Sequence, residues 1–504
     1  MDCLPNELIL LIADKLNKNK KVASLLSTNK RFDTLKLLCK FPKTVDVGYH
    51  VPPGISNLKY RSQIKLEFRY KMDLEVPDYA YSLYCYGADL SESCFDDDFP
   101  DVIQKMTFFE TDFLPDFLPA NLTKLYIQTN YYDFRIYRGQ IPETVEKLKF
   151  FGNGKFFLEK GAIPGSVKKL VIKALVDGHN SDDIAYIIPH SVTNLKIDLS
   201  HKTNAYKIIP GFIPESVRHL VLRGRIEKIN HALPNSLITL TFDNTHDWNA
   251  VFPDMFPDTL ETLTLGGHVY SLRPGVVPQH VHTLSILNIH TEFSLLMGSI
   301  PSSVKTLKIN SCNALITRGM LPEGLESLYI KNYNLPLSKG VFPSTIFYLR
   351  LSKDYDGMYK VGVIPSSVRI LIFGESSNQP LLPGCIPNGV EKLTFGKNYN
   401  IGLRKGVIPR TVTHLRLGNM FNQTIRPGDI PNSVTKITFG LGFAQPLLED
   451  SIPCSVTKMT FEGYYFFPIG NGIIPKTAKL LRFKKGRGNI KNIKVSKNTT
   501  IQTQ

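Results

Sequence analysis

The sequence predicts a repeat solenoid, mainly β with short strands and irregular or 3-10 outer segments, preceded by a small all-α piece of three helices. Three observations predict it. A proline preceded by an apolar residue recurs 20 times between Pro52 and Pro475, 423 residues over 19 intervals, and from Pro343 onward every interval is 22. Three, six and eight residues past each proline stand uncharged, mostly aliphatic or aromatic side chains, as in Val145, Leu148, Phe150 and Val434, Ile437, Phe439; the earliest copy reads Ile55, Leu58, Tyr60. Glycine precedes the proline by three residues in 12 of the 20 copies, Gly139, Gly406 and Gly428 among them.

Each element of the repeat has a physical reason. Side chains two apart on a strand share a face, so the residues six and eight past the proline point inward and those five and seven past it point away. Proline suits the start of the strand, where its missing N–H is not needed by the ladder. The glycine suits a turn of positive φ. A second apolar anchor follows 12 to 16 residues past the proline (Tyr399 and Leu403, Phe421 and Ile425, Phe443 and Leu447), in stretches too short and too rich in Asn, Gln and Pro for a long helix. One such unit cannot bury its apolar side alone, whereas stacked units share a continuous core.

The 504 residues carry a net charge of +16 and 42% hydrophobic side chains. Seven cysteines, scattered and without a Cys-x-x-Cys pair, point to neither a disulfide framework nor a zinc site. Together with the absence of a signal-like start or an apolar run of about 20 residues, this places the chain in the cytoplasm, with the nucleus as the alternative. At the positions four, five, seven and nine past the proline, from the Pro142 copy on, 20 Lys or Arg face 7 Asp or Glu. The outward face is therefore expected to be basic, either for solubility or to hold an acidic partner. Lys305, Lys308, Arg350, Arg369, Lys392, Arg416 and Lys436 are the candidate target-binding residues. Residues 173–188, 198–210 and 243–252, where spacing departs from the repeat and the one Trp248 stands, are candidate specificity loops.

Ser or Thr stands two past the proline in 13 of 16 copies from Pro142 on. Equivalent hydroxyls without a special base nearby are expected to close the turn or bond the next coil, not to act as nucleophiles. Histidines such as His280 and His282 lack ligand spacing, and no phosphate loop, paired-carboxylate or nucleophile phrase occurs. The expectation is a protein that is not an enzyme and has neither metal nor cofactor. Nucleic-acid binding through the basic face and the tail "KKGRGNIKNIKVSKNTT" is disfavoured because the outward positions show no regular aromatics for stacking. The chain divides into a helical piece over 1–41, the solenoid over 42–483 and a basic flexible tail over 484–504.

Residues 1 to about 40 do not follow the repeat. Pro5 and Glu7 fit a first helical turn, and Leu8, Ile9, Leu11, Ile12 and Leu16 carry helical periodicity. Val22, Leu25 and Leu26 form a second helix; Phe32, Leu35 and Leu38 a third. So small a piece needs the repeats or a partner beside it; a cap on the first coil is an equal alternative.

The phrases "LPNELILLIADKL" and "VASLLSTNKRF" resemble the F-box motif through Leu4, Pro5, Glu7, Leu8, Ile12, Leu16, Val22, Leu25, Leu26, Lys30 and Arg31, with Phe32 in place of the usual Trp. The apolar-x-x-apolar-x-apolar phrase is that of leucine-rich repeats. "FNQTIRPGDIP" at 421–431 resembles the FNIP repeat, whose named residues are Phe421, Asn422, Ile430 and Pro431. The combination is similar to the F-box and FNIP repeat-containing proteins of giant amoeba viruses such as mimivirus. That resemblance implies a non-catalytic substrate receptor of an SCF-type (cullin-RING) ubiquitin ligase. Leu4, Pro5, Leu8, Ile9, Ile12, Leu16, Leu25 and Phe32 would dock on a Skp-type adaptor joined to a cullin, and the repeats would hold the target protein. A decoy that merely occupies the adaptor is the alternative.

Overall fold

The computed structural model describes residues 45–47, 64–68, 82–86, 103–111, 113–115, 117–129, 134–176, 187–198, 206–208, 210–229, 232–244, 255–267, 271–288, 293–470, 472–484 and 493–503. The three helices expected over 1–41 lie outside them. The chain forms two compact units, Met1–Leu237 and Ile238–Gln504, and each is a parallel β-solenoid.

In each of the 19 copies from Pro77 to Pro475 a strand begins five residues past the proline. In the first unit Ser82–Tyr86, Lys105–Phe109, Lys124–Gln128, Lys147–Leu158, Lys169–Val176, Asn194–Asp198 and His219–Gly224 pair in succession, all parallel. In the second, the same ladder runs from Thr239–Asn244 to Leu480–Phe483, with equivalent repeat positions opposed: Leu371, Leu393, Leu415, Ile437, Met459 and Leu481 stand in one row. Parallel strands need a long return, and here the rest of each coil supplies it. The inward positions are fully closed off, Leu148 and Phe150 at 0% exposure and Ile437 and Phe439 at 1% and 0%.

The edge where each coil turns into its strand is bonded twice. The N–H three past the proline donates to the proline carbonyl, as Val434 to Pro431 at 3.1 Å. The hydroxyl two past the proline donates to the carbonyl of the preceding coil, Ser216 to Val192 at 2.9 Å and Thr411 to Val390 at 2.8 Å. Ser166, Ser303, Ser433 and Ser455 repeat the bond, so these hydroxyls join coils, as the sequence implied. The glycine three before the proline takes the left-handed conformation, Gly406 at φ 86° and Gly428 at φ 85°. Where Asp450 replaces it, the aspartate adopts φ 56°.

On the outer wall, Tyr399, Phe421, Phe443 and Tyr465 form a buried column of nearly parallel rings, with centroids 6.5, 6.3 and 6.0 Å apart. Beside it runs a ladder of side-chain acceptors. The N–H groups of Asn378, Asn400, Asn422 and Ala444 donate to Oδ1 of Asp356, Asn378, Asn400 and Asn422, one coil earlier, at 3.1, 2.8, 2.8 and 2.9 Å. Backbone donors in an irregular wall must find partners, and these amides supply them. Asn400→Ala, which orphans the Asn422 N–H and the Gln423 amide, is expected to cost about 1–2 kcal/mol in urea unfolding. Asn400→Asp keeps the acceptor and should cost clearly less; equal losses would remove the ladder from the account.

Three expectations need correction. The rung before Ser82–Tyr86 is Ile64–Phe68, so Leu66 and Phe68 oppose Leu83 and Cys85, the places expected for Leu58 and Tyr60. No 3-10 segment occurs among the described residues; the outer wall is turns and extended chain, with short second parallel pairs such as Tyr206–Ile208 with Ile226–Ile229. A tail expected to be flexible carries the strand Thr500–Thr503, paired with Leu480–Phe483. It has no marker proline, but Ile501 repeats the inward apolar position.

Candidate protein-binding face

A two-residue period leaves half of each strand facing away from the core. In the second unit, one outward row reads Lys308, Tyr329, Arg350, Ile372, Thr394, Arg416, Thr438, Thr460 and Arg482. Its neighbour includes Lys392, His414, Lys436 and Lys458. The candidate cations divide by their surroundings. Lys305 reaches Glu326 at 3.4 Å and the Gly324 carbonyl, and Arg369 donates to the carbonyls of Ser366 and Ser367 and sits 3.8 Å from Glu391. Both tie coils together at the edge. Arg350 lies over the Tyr329 ring, 4.6 Å from its centre. Lys308 stands two rungs away in the same row.

Lys392, Arg416 and Lys436 meet in one groove of about 380 Å³, with His414, Lys458, Arg482, Lys484, Glu462 and the threonines 394, 438 and 460 completing most of its lining. At its floor Glu462, 9% exposed, receives hydrogen bonds from Arg416 Nη1 at 3.0 Å, from Arg416 Nη2, and from Lys484 Nζ at 2.7 Å. Burial works to raise the Glu462 carboxyl, but the hydrogen bonds and charges of Arg416 and Lys484 outweigh it and hold it below the ordinary range. His414, bonded through Nδ1 to the Thr413 hydroxyl at 2.9 Å, is held below the ordinary imidazole value by burial and then by Lys436 and Lys392. Arg482 is steadied by Gln502 at 2.8 and 3.0 Å.

The Glu462 contacts give an acid dependence. A carboxyl whose folded value is depressed contributes stability above its unfolded value, near 4.3, which is lost as pH falls through the folded value. Arg416 and Lys484 are 42% and 44% exposed, so the contribution is about 1 kcal/mol. Denaturant midpoints of the wild type should therefore fall faster below about pH 4.3 than those of Glu462→Gln. Parallel curves would show that the carboxylate contributes nothing.

The first unit has its own outward cluster. Lys149 lies 4.4 Å from the Tyr126 ring centre and 5.7 Å from that of Phe151. Burial, then the charges of Lys147, Lys105, Lys173 and Lys196, hold its ammonium below the ordinary value.

The adaptor candidates Leu4, Pro5, Leu8, Ile9, Ile12, Leu16, Leu25 and Phe32 lie outside the described residues, as do Trp248 and most of the candidate specificity loops. His280 and His282 are exposed. Among the described residues no cluster of His, Cys, Asp or Glu could hold a metal ion, and no helix is long and apolar enough to cross a membrane. Sequence reasoning missed Glu462, Arg482 and Lys484 as neighbours. The 22-residue spacing that aligns 416, 438, 460 and 482, and likewise 440, 462 and 484, was the signal for them.

The FNIP Repeat family model matches residues 294–333, 313–354, 333–376, 378–420 and 421–464. No curated protein matches in sequence. Among solved structures, the chain is similar to CroV588, described as a novel circular LRR protein, at 22% identity and TM-score 0.57, covering 85% of this chain and 73% of that one. It is also similar to YopM from Yersinia enterocolitica WA-314, at 17% identity and TM-score 0.40, covering 87% and 91%. Phe421 in the ring column, Asn422 in the amide ladder, Ile430 in the core and Pro431 at the turn show what the repeat's named residues do. Residues 294–464 thus carry FNIP repeats, and the fold they build is leucine-rich-repeat-like.

Proposed function

We propose that this chain is a non-catalytic substrate receptor of an SCF-type ubiquitin ligase, holding a target protein on the outward face of its coils and a Skp-type adaptor at its F-box-like start. One observation carries the target-binding half. Parallel sheets are ordinarily covered on both faces, yet outward residues such as Lys392 and Lys436 are exposed. The inner face, the turn hydroxyls and the outer-wall amides are all used in joining coils. In the outward rows only some of the side chains are so used, as Arg416 and Lys484 are on Glu462, and the rest are presented at regular spacing on a stiff support. Such a receptor would act by proximity, raising the target's effective concentration beside a charged conjugating enzyme. The adaptor-binding half is supported by the resemblance of residues 4–32 to the F-box.

Affinity purification of the full chain from cells tests it. Skp-type adaptor, cullin and a further protein should co-purify, and Leu4→Ala/Pro5→Ala should abolish adaptor capture while leaving the further protein bound. Capture of adaptor alone would replace the receptor with a decoy. Absence of adaptor would overturn the ligase reading.

A further inference from the structure

We infer that the groove between the strands Lys392–Thr394 and Leu480–Phe483 binds a short acidic peptide segment, rich in Asp and Glu, of a partner protein. Its lining places six cations, Lys392, Arg416, Lys436, Lys458, Arg482 and Lys484, against the single acid Glu462. Among the described residues, no carboxylate lies within ion-pair distance of Lys392, Lys436 or Lys458. The one carboxylate present already shows the geometry a ligand would copy, taking Arg416 from one side and Lys484 from the other. Thr394, Thr438 and Thr460 add hydroxyl donors between the cations.

Size sets the ligand. Four rung steps separate the two end strands, about 19 Å at about 4.8 Å per step, the span of about six extended residues. Carboxylates on such a segment would meet a row of cations on every rung, which gives both attraction and steering. The lining holds no Phe, Tyr or Trp, and His414 is its one ring on which a base could stack, so a nucleic acid would gain little beyond its phosphate charge there. This inference rests on the receptor reading only in taking the outward face as the docking face.

Fluorescence anisotropy of the full chain with a labelled peptide of about ten glutamates tests it. Binding should weaken at least about tenfold in Lys392→Glu/Lys436→Glu, both exposed positions, and strengthen by about threefold in Glu462→Gln, which frees Arg416 and Lys484. A merely structural Glu462 would not produce that gain. Lys169→Glu/Lys360→Glu changes net charge equally at exposed positions outside the groove's lining and should leave binding within about twofold. Equal losses in the two double variants would reduce the effect to total charge and overturn the groove. A single-stranded oligonucleotide of matched charge binding more tightly than the peptide would overturn it in favour of nucleic acid. If purification still recovers adaptor and target from the Lys392→Glu/Lys436→Glu chain, the receptor reading stands while the groove is not its target site.

Discussion

Phe421→Ala should destabilise the unit Ile238–Gln504 by about 3–5 kcal/mol. Phe421 is fully buried and stacks on Tyr399 and Phe443 with interplanar angles of 3° and 10°. Truncation leaves a ring-sized void that neighbours held by amide bonds at 400, 422 and 444 cannot close. Long arrays do not always unfold as one step, so hydrogen exchange is the more telling readout. Amides of residues 395–447 should lose protection first, while the first unit keeps its own. A loss under about 1 kcal/mol would mean the ring column fills space without holding coils together.

Gly418→Ala is expected to cost about 3 kcal/mol, for a different reason. Gly374, Gly396, Gly418 and Gly440 end successive outward rows, and a Cβ on each would collide with a backbone carbonyl oxygen of the preceding coil; for Gly418 it is that of Gly396. None has a positive φ, so the requirement is space, not conformation. Backbone cannot rotate away as a side chain can. Gly402→Ala, where a Cβ meets nothing within 4 Å, is the control and should change the denaturant midpoint little. Similar effects from the two would show that the coils are not in close backbone contact at 418.

The repeat was legible because its signals are local and periodic. Proline, apolar triplet and left-handed glycine recur at fixed offsets, and the strands start where those offsets place them, from Ser82 to Leu480. The Pro52 copy misled because Ile55, Leu58 and Tyr60 satisfy the same offsets as Leu66 and Phe68 satisfy the pairing. Choosing between them takes the register with Leu83 and Cys85, which is not local. Thr500–Thr503 was missed because a final rung needs only a partner strand and one apolar side chain, Ile501, and no turn proline.

The candidate site was half legible. Spacing shows that Lys392, Arg416 and Lys436 lie on one face, but spacing alone does not separate cations spent inside the stack from those offered outward. Lys305 and Arg369, four past the proline, bend back to edge carbonyls and to Glu326 and Glu391. Lys392 and Lys436, five past it, project from the ladder itself. Glu462 was not singled out in the sequence; its role comes from Arg416, two coils earlier, and Lys484, one coil later, meeting on it.

The central claim is that each coil advances the chain by one strand spacing. Pulsed electron resonance between nitroxide labels at Ser327→Cys and Lys458→Cys, in a background whose reactive cysteines are serine, measures it directly. The two positions are six rungs apart in register, so the account predicts one narrow distance near about 29 Å, although 131 residues separate them. A broad distribution, or a distance more than about 10 Å away from that value, would contradict it.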